Sequence, residues 1–206
     1  MRNQPRQMRS KRMVQTIMEA TLDVVGTHGL DNTTTSHIAA RAGISVGTLY
    51  HYFQNKQEIF SALQQRLSEE FIAAIGAATP TLVQKDFGQM IRGIAQLFID
   101  ELNRDNGKRL SFTQAIVNRG FAHQLREVEQ TIHEFFLGYI GHHPELTQVR
   151  QLPRLTYILF NSMAFNLIRS ISQPPPHITQ DALLDGLSEL AQAYVRSQMT
   201  PPGAHP

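Results

Sequence analysis

The chain has 206 residues, of which 41% are hydrophobic, so it is long enough for one large or two modest domains with a substantial core. It contains no cysteine, which excludes a disulfide framework and thiolate chemistry and is typical of a reducing compartment. The net charge is only +2, but basic residues dominate the start of the chain, where no acid precedes Glu19. We expect residues 1–8 to form a flexible arm that either contacts DNA phosphates or only aids solubility.

The first predicted helix runs from about Ser10 to Thr27. Its apolar side chains recur at helical spacing, which predicts one buried face. They are Val14, Ile17, Met18, Leu22 and Val25. Gly29 is the predicted end of this helix, because glycine adopts the positive φ that often follows a helix at little cost.

Residues 33–56 are typical of two short helices joined by a tight turn. Thr34 is a plausible N-cap of the first helix, and Ser45 is a plausible N-cap of the second. Gly43 lies between them, where a turn needs positive φ. The second helix places Leu49 and Phe53 on one side and leaves polar residues on the others. This arrangement predicts a helix-turn-helix whose polar side can enter a DNA major groove.

The order of residues in this stretch resembles the DNA-binding region of the TetR/AcrR family of bacterial regulators. The matching run is Thr33-Thr34-x-x-x-Ile38-Ala39-x-x-Ala42-Gly43-Ile44-Ser45-x-Gly47-Thr48-Leu49-Tyr50-x-Tyr52-Phe53-x-x-Lys56. The resemblance extends over about residues 9–65, roughly a third of the chain. It implies an all-α fold of about nine helices. An N-terminal three-helix domain (residues 1–55) would precede a larger antiparallel helical bundle for ligand binding and dimerisation (residues 56–206).

Candidate DNA-binding residues follow from the motif. Side chains on the first turn of the second short helix approach base edges in helix-turn-helix proteins, and hydroxyl groups and a lysine nearby can hold phosphates. The candidates are Thr34, Ser45, Val46, Gly47, Thr48, Tyr50, His51 and Lys56. Ser45 and Thr48 can equally be simple helix caps, and one of Tyr50 and Tyr52 is expected to pack inward, with Tyr50 favoured as the phosphate contact.

Downstream, apolar stripes predict helices at about 55–77, 84–103, 108–118, 122–140, 153–172 and 179–198. Thr79-Pro80-Thr81 and Asn106-Gly107 are predicted breaks. The helix at 153–172 is apolar on nearly every side, so it must be covered all round. We therefore expect a homodimer formed through the helices near 153–172 and 179–198.

The resemblance also implies a cavity for a small organic effector in the C-terminal bundle. Aromatic side chains and polar residues within apolar stretches are the candidates to line it, although most of them can equally be core. They are Phe98, Phe112, Asn118, Phe135, Tyr139, Asn161 and Phe165. No cofactor is predicted. His133, His142 and His143 lack the spacing of a metal site.

The sequence therefore predicts a cytoplasmic transcriptional regulator, most simply a repressor, that binds double-stranded operator DNA and is released by a small molecule. No apolar run reaches the ~20 residues of a bilayer span. The first alternative is an enzyme built on the C-terminal bundle, but no catalytic constellation stands out. The second is an architectural protein that binds DNA without sequence preference, which would need a strongly basic chain throughout.

Overall fold

The computed structural model describes residues 4–117, 126–149 and 151–199, and for residues 4–7 it describes the backbone only. Within these ranges the chain forms nine α-helices, two short 3-10 turns and no strand, so the predicted all-α class is confirmed. The helices are α1 (Gln4–Asn32), α2 (Thr35–Arg41), α3 (Val46–Tyr50), α4 (Lys56–Leu82), α5 (Phe87–Asn103), α6 (Lys108–Val117), α7 (Arg126–His142), α8 (Leu152–Ser172) and α9 (Gln180–Met199).

The chain packs into two compact units. The first comprises Met1–Leu67 and Leu102–Gln124, and the second comprises Ser68–Glu101 and Leu125–Pro206. The division expected from the sequence, after residue 55, differs from this packing, which places the start of α4 and all of α6 with the first unit. The assignment of DNA binding and ligand binding to separate domains stays a prediction.

The first unit has an apolar core to which α1, α2, α3, α4 and α6 contribute. Its most buried side chains come from all five helices and include Ile17, Ile38, Leu49, Ile59 and Phe112. The predicted stripes of α1 and of the helix-turn-helix are therefore the faces that the fold buries. Phe60 of α4 meets Phe112 of α6 edge to face, with ring centroids 6.1 Å apart.

The second unit has its own core, formed by the later part of α4 with α5, α7, α8 and α9. Tyr139 of α7 is fully buried, and its hydroxyl donates to the Lys85 carbonyl at 2.8 Å. The imidazole of His143 stacks on the same ring, with centroids 4.0 Å apart. At the surface, Arg92 of α5 pairs with Asp181 and Asp185 of α9.

Two predicted features at helix ends are wrong. The expected flexible arm is helical from Gln4, and Pro5 in the first turn is compatible with this because that turn leaves backbone N–H groups unbonded. The expected break at Thr79-Pro80-Thr81 is absent, because α4 continues through Pro80 to Leu82. Around that proline the Thr79 hydroxyl donates to the Ile75 carbonyl, and the amide of Val83 donates to Thr79. By contrast, Gly29 interrupts α1 with φ of 76°, close to its predicted end.

Candidate nucleic-acid interface

The first helix of the motif, α2, begins where the sequence predicts. Thr34 is extended, with φ −119° and ψ 159°, and its hydroxyl oxygen accepts from the His37 amide at 3.1 Å. One of the four unpaired amides at the start of the helix is thereby satisfied. Ile38 and Ala39 are buried, so they hold α2 against the core while Thr34 itself is exposed.

The turn between α2 and α3 depends on Gly43, which has φ of 68°. A side chain at this φ is strained, whereas glycine is not. The amide of Gly43 donates to Ala40 at 3.2 Å, and the amide of Ile44 donates to Ala39 at 3.0 Å. These bonds close the end of α2 and fix the direction in which the chain enters α3.

The second helix, α3, is held by a cap at its start and by one buried leucine. The Ser45 hydroxyl accepts from the Thr48 amide at 3.0 Å and lies 2.8 Å from the Thr48 hydroxyl. Leu49 is fully buried. Ser45 and Gly47 are exposed and Thr48 is half-exposed, whereas Val46 is half-buried and packs against the core of the first unit. Capping occupies only part of the hydrogen-bonding capacity of each hydroxyl, which also leaves capacity for DNA.

Of the two tyrosines that follow, Tyr50 faces outward and Tyr52 is half-buried against the core. Tyr50 is 50% exposed, and its hydroxyl lies 3.3 Å from the Thr35 hydroxyl at the start of α2. His51 is also exposed. The sequence favoured Tyr50 as the phosphate contact, and its position is compatible with that role. The part played by Thr35 in orienting it was not predicted.

Lys56 does not point freely outward, although the sequence suggested a phosphate contact. Its ammonium donates to the Thr33 carbonyl at 2.9 Å and lies 3.4 Å from the Asp31 carbonyl. These carbonyls belong to the segment that leads into α2, so the ammonium ties that segment to the start of α4. Asn55 and Glu58 cap α4: the Asn55 side chain accepts from the Glu58 amide at 2.9 Å.

One ionic cluster in the first unit was missed by the sequence analysis. Asp23 of α1 pairs with Arg41, the last residue of α2, and with Lys108 of α6. The hydrogen bond from Lys108, and the positive charges of Lys108 and Arg41, lower the pKa of Asp23 although partial burial opposes this. The carboxylate therefore holds the C-terminal end of α2, whereas Thr34 caps its N-terminal end. No spacing rule could have joined residues 23, 41 and 108, since they lie on three helices.

Positive charge extends along the exposed side of α1. Arg9, Lys11 and Arg12 are all exposed. Arg2 and Arg6 lie outside the residues whose side chains are described. Lys56 and Arg41, by contrast, are engaged with partners within the chain.

The second unit contains a cavity with entirely apolar walls. Its free volume is about 30 Å³, which is little more room than one water molecule needs. The lining side chains are Phe71, Ile91, Ile94, Ala95, Phe98, Ile132, Phe136, Leu159, Phe160, Met163, Ala164 and Leu167. They come from α4, α5, α7 and α8.

Of the candidate lining residues that the structure describes, only Phe98 lies in the wall of this cavity. Phe112 belongs to the core of the first unit, because α6 packs there. Phe135 and Tyr139 are buried in the second core without reaching the cavity. Phe165 is 61% exposed, and Asn118 lies outside the described residues.

Asn161, the remaining candidate, does not reach the cavity, because its amide donates to the Glu129 carboxylate at 3.1 Å. The sequence pattern could not show which side of each helix turns inward.

The histidines noted in the sequence are held by separate partners. His133 lies 3.2 Å from the Thr156 hydroxyl, and His142 lies 3.0 Å from the Gly138 carbonyl. His143 contacts the Glu145 carboxylate at 3.1 Å and the Val83 carbonyl at 3.0 Å. In the described ranges no three metal-ligating side chains converge. Over the same ranges, none of the helices is long and apolar enough to cross a membrane.

The capped α2, the glycine turn and the short α3 with an exposed polar side define a helix-turn-helix protein. Residues 17–63, which contain this unit, match the family model described as bacterial regulatory proteins, tetR family. These residues are therefore similar to the DNA-binding region of that family, in agreement with the resemblance seen in the sequence.

A curated protein of known description is similar to about half of the chain. The HTH-type transcriptional regulator BetI of Escherichia coli O17:K52:H18 is 27% identical over 115 residues, which are 54% of this chain and 59% of that protein. The chain thus matches less than two thirds of the length of that curated relative.

Solved structures share the fold at low identity. A transcriptional regulator from Rhodococcus sp. RHA1 aligns with a TM-score of 0.70 at 17% identity, over 92% of this chain and 99% of that one. The fatty acid degradation regulator FadR of Bacillus halodurans aligns with a TM-score of 0.68, also at 17% identity, over 93% of this chain and 97% of that one.

Proposed function

We propose that the protein is a transcriptional repressor that binds a palindromic operator as a homodimer and is released by a small organic molecule. The observation that carries the proposal is the orientation of α3, whose apolar Leu49 is buried while its other side is exposed. A helix of this kind inserts its first turn into a major groove and reads base edges there. A cytoplasmic location follows from this role.

Each exposed group of the motif has a chemical role in this proposal. The hydroxyls of Ser45 and Thr48 can accept from or donate to bases, and Val46 can meet a thymine methyl group. Gly47 lets the backbone approach DNA closely. Thr34, Tyr50 and His51 lie where they can hold phosphates, and such contacts set the register of the protein on the duplex. Lys56 acts instead by fixing the segment before α2.

Dimerisation is proposed from exposed apolar side chains in the second unit. Tyr157, Ile158 and Phe165 of α8 and Leu190 of α9 are 58%, 40%, 61% and 55% exposed. Large exposed apolar side chains on neighbouring helices indicate a surface that is covered by a partner. A second copy of the chain is the proposed partner, and its two-fold symmetry would present two α3 helices to a palindrome. Leu187 of α9, by contrast, is buried in the chain's own core.

Release by a ligand is proposed from the apolar cavity of the second unit. A molecule larger than water must displace side chains to enter it, so ligand binding and a change in the packing of that unit are linked. The description of the Bacillus halodurans protein as a regulator of fatty acid degradation supports a regulatory role for a chain of this fold. No comparable observation favours the enzyme or the architectural alternative.

Footprinting and competition test the proposal. The protein should protect an inverted repeat in DNA upstream of its own gene or of a neighbouring gene. The half-sites should be spaced by one or more helical turns of ~34–36 Å. Random duplex at moderate salt should compete only weakly. Equal affinity for the repeat and for random duplex would favour the architectural alternative.

A further inference from the structure

We infer that the ligand of the second unit is an uncharged, mainly apolar molecule, admitted between α5 and α8. The inference concerns the chemistry of the cavity and rests on the proposed function only for the claim that binding weakens DNA affinity.

The walls offer no hydrogen-bonding or charged side chain. All twelve lining residues are aliphatic, aromatic or methionine. A polar or charged group placed against such walls would lose its water without gaining a partner. The walls therefore select an apolar body of the ligand, and any polar group must remain at the opening.

Polar residues close to the walls are bonded to one another. On α7, Glu129 and His133 flank the lining residue Ile132. Glu129 accepts from Asn161 of α8 at 3.1 Å, and His133 lies 3.2 Å from Thr156 of α8. These two pairs join α7 to α8 beside the cavity. Neither Glu129 nor His133 is among the lining residues, so the walls themselves present no charge to a ligand inside.

The opening lies where the lining is least buried. Phe98 of α5 and Phe160 and Ala164 of α8 are half-buried, whereas the other lining residues are buried. Phe98 also meets Phe71 edge to face, with centroids 5.3 Å apart. Entry between α5 and α8 requires the Phe98 ring to turn away from Phe71. At the inner wall, Met163 is the most adaptable side chain and can make room, because methionine is unbranched and flexible.

A quaternary ammonium ligand is the strongest competing class, because phenylalanine rings attract cations. Four phenylalanines line the cavity. Phenylalanine is a weaker cation partner than tryptophan, however, and the walls hold no carboxylate. A carboxylate ligand has still less support, since no lysine or arginine lines the cavity. The neutral class is therefore the one that the walls favour.

Displacement of an uncharged fluorophore separates these classes. N-phenylnaphthylamine should fluoresce strongly on binding to the full chain. Decanol, decanoate and decyltrimethylammonium share one chain length and differ in charge, so they can be compared as competitors at neutral pH below their aggregation concentrations. We expect decanol to displace the probe at a concentration at least about ten times lower than either ion. Equal or better displacement by an ion would overturn the inference.

Two variants that act in opposite directions locate binding at this cavity. Ala164→Phe narrows the opening and should weaken probe binding at least about tenfold, whereas Phe98→Ala removes the ring that closes it and should speed probe association. Ala73→Phe, on an exposed position of α4, is the matched control for added bulk. Thermal unfolding of each variant verifies folding. Unchanged binding in both cavity variants would place the probe elsewhere and overturn the inference.

The inference and the proposed function fail in different ways. If decanol binds best but does not change operator affinity, the ligand class stands and the proposed release of DNA fails. If an ion binds best and releases DNA, the proposed function stands and the inference about charge fails. The absence of probe binding to the parent protein would mean that the cavity is only a packing void, which also overturns the inference.

Discussion

Asp23 on α1 and Lys108 on α6 form a hydrogen-bonded ion pair. The same carboxylate also pairs with Arg41 at the end of α2. The Asp23 side chain is only 18% exposed, whereas those of Lys108 and Arg41 are 40% and 59% exposed. One shielded carboxylate therefore connects the first helix of the motif to two other helices, and it opposes displacement of α2 relative to both.

Asp23→Asn should destabilise the first unit. The change removes the negative charge that two cations share, and hydrogen bonds to charged groups contribute ~1.5–3 kcal/mol. Because both cations are partly solvated, we expect a loss near the lower end, about 1–2 kcal/mol. Urea unfolding followed by circular dichroism measures it. Asp100→Asn is the control. Asp100 is exposed, and in the contacts described its side chain bonds only to Gln96 of the same helix. This change should alter the free energy of unfolding by less than ~0.5 kcal/mol.

Titration of the Asp23 carboxylate should make the free energy of unfolding depend on pH in the acid range. Because the pKa of Asp23 is lowered in the folded chain, its stabilising contribution is fully present above the unfolded pKa of ~3.9. That contribution is lost as the pH falls from there through the folded pKa. Urea unfolding of the parent and of Asp23→Asn should therefore differ by a constant amount above about pH 5 and converge below about pH 4. A difference that grows towards acid would show that Asp23 does not titrate in this way.

Local features of the motif were predictable from sequence because each depends on neighbouring residues. The caps Thr34 and Ser45 and the positive φ at Gly43 depend on contacts within five residues along the chain. The division at residue 55 and the Asp23 cluster depend on α6, whose position beside α1 no local pattern encodes. The cavity depends on which side of α5 and α8 turns inward, and α8 is apolar on so many sides that its periodicity does not decide this.

Tyr50→Phe should weaken operator binding without unfolding the protein. The hydroxyl is exposed and lies 3.3 Å from that of Thr35, so its loss removes one proposed phosphate contact and one orienting contact. A neutral hydrogen bond contributes ~0.5–1.5 kcal/mol, which is about a twofold to twelvefold change in affinity. Gel-shift titration measures it. Tyr52→Phe removes a hydroxyl from the neighbouring half-buried ring and should leave affinity unchanged. If Tyr52→Phe has the larger effect, the assignment of the two tyrosines is wrong.

Phe165→Glu should dissociate the dimer while leaving the protomer folded. Phe165 is 61% exposed within one chain, so a carboxylate there is solvated in the monomer and buried only when a second copy covers it. Analytical ultracentrifugation should show monomer at concentrations where the parent is dimeric. Leu137→Glu is the matched control, because Leu137 is 53% exposed and belongs to α7 rather than to α8 or α9. Dissociation by Leu137→Glu with an intact Phe165→Glu dimer would move the interface to α7.

Tyr139 should make the second unit sensitive to alkali. Burial, and then the nearby charges of Asp86 and Glu145, raise the pKa of Tyr139 to about 12. The folded state thus favours the neutral phenol, which donates to the Lys85 carbonyl at 2.8 Å. The stability that this provides is fully present below the unfolded pKa of ~10 and is lost as the pH rises through the folded pKa.

Tyr139→Phe tests that linkage. The variant lacks the hydrogen bond to Lys85, so it should be less stable than the parent by ~0.5–1.5 kcal/mol at neutral pH. Its stability should then fall less steeply than that of the parent between about pH 10 and pH 12, because it has no phenol at this position to ionise. Unfolding by urea at a series of alkaline pH values measures how the free energy of unfolding changes with pH in the parent and in the variant. The other tyrosines contribute equally to both proteins. If the free energy of unfolding falls equally steeply with pH in both proteins, the fold does not hold the buried phenol neutral.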